Sequence, residues 1–138
     1  GRLDTIQAAI LLEKLFIFDE ELKYRNKIAN YYKDNINLNF KKPHIPDHYQ
    51  SSWAQFSLLA KNKKQKAEII NKMAKKKIPI MIYYKTPLHL QECFRSLGHK
   101  LGDFPISEKC SHLIFSIPMH PYLEKKQQDL ILSTLNDE

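Results

Sequence analysis

From Asp4 to about Asn35, apolar side chains return at helical spacing: Leu11, Leu15, Phe18, Leu22, Ala29 and Tyr32. Asp4 is a good N-cap, and Gln7 three residues on completes a capping-box-like pair. About 30 residues at 1.5 Å each make a rod of roughly 45 Å. A lone globule of 138 residues cannot cover such a rod evenly. The stretch from Ala8 to Leu12 is apolar all round, so this helix should be covered on more than one side. A second chain or a further domain is therefore expected to bury the remainder. Gly1-Arg2-Leu3 has no initiator Met and runs at once into the helix, which suggests a fragment.

Beyond this helix, Asn37 to Ser51 is a loop rich in Pro, Asn, His and Asp. Trp53 to Ala60 reads as a strand. Lys63 to Lys76 reads as a helix with Ala67, Ile70 and Met73 or Ala74 inward. Ile80 to Tyr84 is a β-branched and aromatic run after Pro79, hence a second strand, left by the turn Thr86-Pro87-Leu88-His89. Gln91 to Leu97 is a short helix stopped by Gly98, and Pro105 to about Cys110 is another. His112 to Ile117 is a third strand, ended by Pro118. Leu123 to Leu135 is an amphipathic helix with Leu123, Leu130, Ile131 and Leu135 inward. The pattern implies an α+β fold (an α/β layer). A long helix over residues 1–36 precedes a small subdomain over 37–138, in which a three-stranded sheet carries helices on one face.

The formal net charge of +7 favours anionic partners without choosing among them. Much of the excess lies in Lys61, Lys63, Lys64, Lys66, Lys72, Lys75, Lys76 and Lys77. A lysine-rich helix face is usually a solvated one. Cys93 and Cys110 lie far apart without metal-ligand spacing, which fits reduced thiols in a cytoplasmic protein. His44 and His48 are four apart, but Pro43 and Pro46 break any helix that would align them, so no metal site is expected. No apolar run is long enough for a membrane span. Three glycines are too few for a phosphate-cradling loop, and no GxGxxG, P-loop, GxSxG or HExxH pattern occurs. No catalytic residue is assigned within the chain.

Unusual residues gather at element ends in three places. These are Arg2 with Asp4 and Gln7; Tyr83-Tyr84 with Pro87-Leu88-His89-Leu90-Gln91; and Gly102-Asp103-Phe104-Pro105 with Ser107-Glu108, followed by Ser116-Ile117-Pro118-Met119-His120-Pro121-Tyr122. The stretch Arg2-Leu3-Asp4-Thr5-Ile6-Gln7-Ala8-Ala9-Ile10-Leu11 resembles the opening of the long helix in the DegT/DnrJ/EryC1/StrS sugar aminotransferases. The later segments, with Leu97-Gly98 between them, fall in that family's order and approximate spacing.

The resemblance implies the C-terminal subdomain of a fold type I pyridoxal-phosphate enzyme, a homodimer with shared active sites. Members move an amino group, commonly from glutamate, to a nucleotide-linked keto-sugar, in cell-surface polysaccharide or glycan biosynthesis. The cofactor-holding lysine, the carboxylate at the pyridine nitrogen and most phosphate contacts belong to the family's large domain. The resemblance therefore implies no cofactor-binding residue here, and no activity for this stretch alone. It assigns substrate contacts to Arg2 (an acidic group on the sugar), to Tyr83 and Tyr84 (the sugar ring), and to His89 (sugar hydroxyls or diphosphate). Each also has a plainer role: Arg2 pairing with Asp4 or solvent, the tyrosines as core or interface aromatics, His89 as a satisfied turn residue. Asp4 and Gln7 read as caps and His120 as structural. Trp53 departs from the smaller or different residue that many members carry there. Two other readings compete: a degenerate, non-catalytic homologue, and a basic nucleic-acid-binding module. Against the latter, the lysines lack interleaved aromatics. The expected partners are a nucleotide sugar and an amino-acid donor, with neither nucleic acid nor membrane.

Overall fold

The computed structural model describes residues 2–137; Gly1, at which the abrupt start was noted, and Glu138 lie outside the described residues. In chain order come α1 (Thr5–Asn35), β1 (Phe56–Leu59), α2 (Lys63–Lys75), two short 3-10 helices (Leu88–Leu90 and Glu92–Leu97), α3 (Pro105–Leu113), β2 (Ile114–Ile117) and α4 (Lys125–Asn136). The α+β class holds.

At the start of α1, Asp4 Oδ1 accepts from the N–H groups of Ile6 (3.0 Å) and Gln7 (3.2 Å), satisfying two otherwise orphaned donors. The far end is closed by two side chains. Lys42 Nζ donates to Lys33 O (2.6 Å) and Ile36 O (3.0 Å), where the helix dipole favours a cation. Asn136 donates Nδ2 to Asn35 O (2.8 Å) and accepts from Asn37 N–H (3.1 Å), which clasps the ends of α1 and α4 together.

The helix is covered unevenly along its length. Its last turns bury Ile28, Ala29 and Tyr32. Earlier, Ile6, Ile10, Leu11, Leu12, Leu15, Phe16 and Phe18 stay exposed, Phe16 at 83%. Of the positions expected inward, Ala29 and Tyr32 are buried and Leu22 is half-buried, while Leu11, Leu15 and Phe18 face outward.

The sheet has two antiparallel strands, pairing Phe56 with Ile117, Ser57 with Ser116, Leu58 with Phe115 and Leu59 with Ile114. This corrects the expected three strands. The run over Ile80–Tyr84 contributes one bridge, Met81 to Ser116, closed by bonds of 3.1 and 2.8 Å. Pro79 has no N–H to extend that pairing, and the chain then departs into open coil. A matching bridge, Lys41 to Leu59, flanks the other edge. β1 is shorter than the Trp53–Ala60 strand expected because Trp53 sits at φ 48, outside the extended region. β2 begins at Ile114 because α3 runs on through His112 and Leu113.

One face of the sheet, Phe56, Leu58, Phe115 and Ile117, joins a single core with Ile28, Ala29 and Tyr32 of α1, Ile69 and Met73 of α2, and Ile131, Leu132 and Leu135 of α4. On the other face, Ser57 and Ser116 share a hydroxyl–hydroxyl bond of 2.8 Å. The α2 register differs from expectation, since Lys66, Ile69 and Met73 are buried while Ala67 faces out. Lys66 tolerates this because its Nζ donates to His112 O (3.1 Å) near the C-terminal end of α3; burial lowers its pKa. In α4, Ile131 and Leu135 are inward as expected, but Leu130 is half-exposed and Leu132 takes its place. The end of α2 turns through Lys77 at φ 58: Lys77 N–H bonds Ala74 O (3.0 Å) and Ile78 N–H bonds Met73 O (2.9 Å). This is a Schellman closure with the buried Ile78 as its apolar contact.

Tyr32 sits at the centre of this core. Its ring meets Phe56 edge-on at 5.2 Å, and its hydroxyl donates to Pro118 O (3.1 Å). Burial raises the pKa of the phenol, so it remains a donor. Tyr32→Phe should cost about 1 kcal/mol, the net worth of one buried hydrogen bond. Tyr32→Ala should cost roughly 3–5 kcal/mol through the cavity it leaves. Urea unfolding followed by circular dichroism measures both.

Candidate functional site

The sequence-predicted residues fall on the coil and short helices between Met81 and α3, with Arg2 apart. Arg2 is exposed just ahead of the α1 cap. Tyr83 and Tyr84 follow the Met81 bridge in open coil, 49% and 61% exposed, where a planar ligand could reach their rings. His89 lies in the first 3-10 helix with its side chain only 8% exposed.

Glu108, named in the sequence only as part of the Gly102–Glu108 segment and given no site role there, holds this region together. Glu108, in the first turn of α3, uses one oxygen, Oε1, for three contacts. It accepts from Gly102 N–H (2.8 Å) and Phe104 N–H (3.4 Å), and it meets His89 Nε2 at 3.0 Å. The Phe104 ring packs on His89 at 4.8 Å and on His99 at 5.0 Å. Asp103 Oδ2 accepts from Lys100 N–H (2.9 Å) and lies 3.6 Å from His99 Nδ1. Gly102 turns the chain at φ 100, a conformation that side-chain-bearing residues avoid. Burial pushes the Glu108 carboxyl up, but the bonds from Gly102, His89 and Phe104 outweigh it, and its pKa is lowered. Pro105 at the first helical position and an acid in the first turn were the available sequence signals, and they report only a helix start.

Among the described residues, no hydrogen bond or ring contact joins His89 to Arg2, Tyr83 or Tyr84. Two sizeable concavities lie elsewhere. One, of 520 Å³, runs beside α1 at Asp19, Lys23, Asn26 and Asn30, and another, of 480 Å³, lies between Leu59 and α3. On α1, Glu21 accepts hydrogen bonds from the Tyr122 hydroxyl and from Lys14 (3.0 Å), and these lower its pKa. Trp53 is a structural anchor: its Nε1 donates to Asn26 Oδ1 (3.0 Å), and its carbonyl takes Arg25 Nη1 (2.9 Å).

The basic stretch is partly committed internally. Lys61 donates to Asn39 Oδ1 (2.5 Å), Lys66 to His112 O, Lys72 to Asp137 O (2.5 Å), and Lys76 pairs with the Asp137 carboxylate (3.4 Å). Among the described residues no cluster of His, Cys, Asp or Glu is arranged to hold a metal, and no helix is long and apolar enough to cross a membrane.

The model of the DegT/DnrJ/EryC1/StrS aminotransferase family matches residues 1–136. The chain belongs to this family. It is 32% identical over 138 residues to a UDP-2-acetamido-2-deoxy-3-oxo-D-glucuronate aminotransferase of Pseudomonas aeruginosa, covering 99% of this chain and 37% of that protein. A solved DegT/DnrJ/EryC1/StrS aminotransferase from Brucella abortus is 40% identical with a TM-score of 0.88, covering 97% of this chain and 35% of that one. The S. venezuelae DesV structure superposes with a TM-score of 0.91 at 22% identity, covering 99% of this chain and 36% of that one, a likeness of fold. This chain thus spans little more than a third of the length of the relatives it matches.

Members of the family use pyridoxal phosphate, which needs a lysine amine aimed into a shielded pocket, a partner for the ring nitrogen and a phosphate cradle. The described residues do not fit that group. Lys66, the one buried lysine among them, is spent on His112 O. Gly98 and Gly102 face open space instead of lining a cradle. No step through the cofactor is derived from this chain.

Glu108 should leave a pH signature. A lowered folded-state pKa means its contribution is present above the ordinary carboxylate value of about 4.3 and is lost as pH falls through the lowered value. Hydrogen-exchange protection of the Gly102 and Phe104 amides should hold at pH 6 and fall near pH 3. In Glu108→Ala it should be low at both.

Proposed function

We propose that these residues serve as the C-terminal part of a pyridoxal-phosphate-dependent aminotransferase. It moves an amino group from an amino acid, glutamate first among them, to a nucleotide-linked keto-sugar for cell-surface polysaccharide or glycan synthesis. The observation that carries this is the family match across residues 1–136, combined with a length little more than a third of that of the relatives. In the balanced reaction, the donor's amino nitrogen replaces the sugar's carbonyl oxygen and the donor leaves as its keto acid. The cofactor supplies the electron sink when bound, and it is held by polypeptide other than the residues described.

What this chain contributes is a wall for the substrate. Tyr83 and Tyr84 offer exposed rings on which a sugar can pack, with hydroxyls to hydrogen-bond it. Arg2 offers a bidentate guanidinium to an acidic sugar or a phosphate. The glucuronate in the name of the P. aeruginosa relative supports the acidic choice. His89 supplies a polar contact from its braced position.

The exposed apolar faces of the first half of α1 support burial under a large domain and in a homodimer whose subunits share active sites. The internal commitments of Lys61, Lys66, Lys72 and Lys76 speak against a nucleic-acid surface. We place the enzyme in the cytoplasm, among soluble nucleotide-sugar substrates.

The test supplies the full-length protein with pyridoxal phosphate, glutamate and a panel of UDP- and dTDP-linked keto-sugars, with mass spectrometry of the products. An amino sugar is expected from the full-length protein and none from the 138-residue chain alone. Arg2→Ala should raise KM for acidic keto-sugars about tenfold to a hundredfold, the worth of a charge-assisted bond, and change KM for neutral ones little. Failure of the full-length protein to aminate any sugar in the panel would sink the proposal. Steeply salt-dependent retention of DNA or RNA would favour the nucleic-acid alternative.

A further inference from the structure

We infer that Glu108 is a positioning residue: it locks His89 with its proton on Nε2 and turns the Nδ1 edge outward to accept a hydrogen bond from a hydroxyl of the nucleotide-linked sugar. This rests on the proposed function for the identity of the ligand, and on geometry for the rest.

Oε1 of Glu108 already accepts from two backbone groups, Gly102 N–H and Phe104 N–H, which can only donate. An ionised carboxylate can only accept, so its third contact, His89 Nε2 at 3.0 Å, is a donor toward the same oxygen. In a neutral imidazole, one nitrogen donates and the other accepts. Nε2 is the donor here, so in the neutral ring Nδ1 carries the lone pair. Phe104 against the ring removes the freedom to flip. Every buried side-chain nitrogen and oxygen among the described residues has a partner, and no hydrogen bond among them reaches Nδ1, so Nδ1 is not sealed off from solvent. An outward lone pair suits a sugar hydroxyl, which has a proton to give. It does not suit a phosphate oxygen, which has none. The inference thus narrows what His89 reads from hydroxyl-or-diphosphate to hydroxyl.

The test uses the full-length holoenzyme and four variants. Glu108→Ala removes the acceptor. Glu108→Gln keeps an amide oxygen for the same three donors. His89→Gln keeps a donor toward Glu108 but has no Nδ1. The fourth combines His89→Gln with Glu108→Ala. Nitrogen-15 spectra of histidine-labelled enzyme, with the His89 signals assigned by their loss in His89→Gln, should show a single Nε2–H form in the wild type and in Glu108→Gln. They should show a mixture in Glu108→Ala.

KM for the nucleotide sugar should rise about fivefold to tenfold in Glu108→Ala and in His89→Gln, with kcat within about twofold, and should stay near wild type in Glu108→Gln. The double variant should be no worse than His89→Gln, because Glu108 acts through His89. Inhibition by the bare nucleoside diphosphate should be unchanged throughout. A wild-type His89 protonated on Nδ1 instead, or on both nitrogens, or a Glu108→Ala that leaves KM unchanged while His89→Gln raises it, overturns the inference. Equal weakening of nucleoside diphosphate inhibition overturns the hydroxyl assignment. A wild-type enzyme that aminates no sugar overturns the functional reading instead, and the nitrogen spectrum still decides the tautomer.

Discussion

Tyr32 and its neighbours set the arrangement of everything else. One turn of a 31-residue helix, bearing Ile28, Ala29 and Tyr32, meets the inner face of a two-stranded sheet and the apolar stripe of α4. The Tyr32 hydroxyl reaches the Pro118 carbonyl just past β2, so one side chain joins helix, sheet and the connection to the last helix. At the opposite end of the same elements, Asn136 clasps the carbonyl end of α1. With both points fixed, the N-terminal half of α1 must project, and its exposed Ile6, Ile10, Leu12, Leu15 and Phe16 project with it.

That projection was legible in the pattern alone, because a rod of this length whose Ala8–Leu12 stretch is apolar all round needs more cover than 138 residues supply. Several helix ends were also legible, since Asp4, Gly98 and Pro105 carry local backbone chemistry that tertiary context did not override, although Asp4 caps α1 without a return bond from the Gln7 side chain. The third strand was not. A run such as Ile80–Tyr84 has strand composition whether it pairs along its length or at one residue, and only its partner decides. Trp53 was read as strand for the same reason, although its backbone is left-handed and its indole is spent on Asn26. The α2 face was misjudged because Lys66 reads as solvent-facing until its carbonyl partner from α3 is known.

In the candidate site, sequence picked out His89 and the Gly102–Glu108 segment as separate oddities. Folding makes them one object, with Glu108 at its centre. The connection spans 19 residues and has no periodicity, so no pattern-based reading could pair them. Arg2 lies at the far end of the chain from this cluster in sequence, and the described contacts do not bring the two together. The proposed wall of residues 2 and 83–108 would need further polypeptide to close it, and the chain covers about a third of the length of its relatives.

The sheet's single-residue margins have a consequence for how this chain meets copies of itself. Lys41 and Met81 each occupy one rung and then leave, so neither flank offers a continuous ladder of unpaired amides to an incoming strand. The sticky surface is the uncovered rod of α1. Where that rod stays uncovered, self-association should run through helix packed on helix, without growing into cross-β fibres.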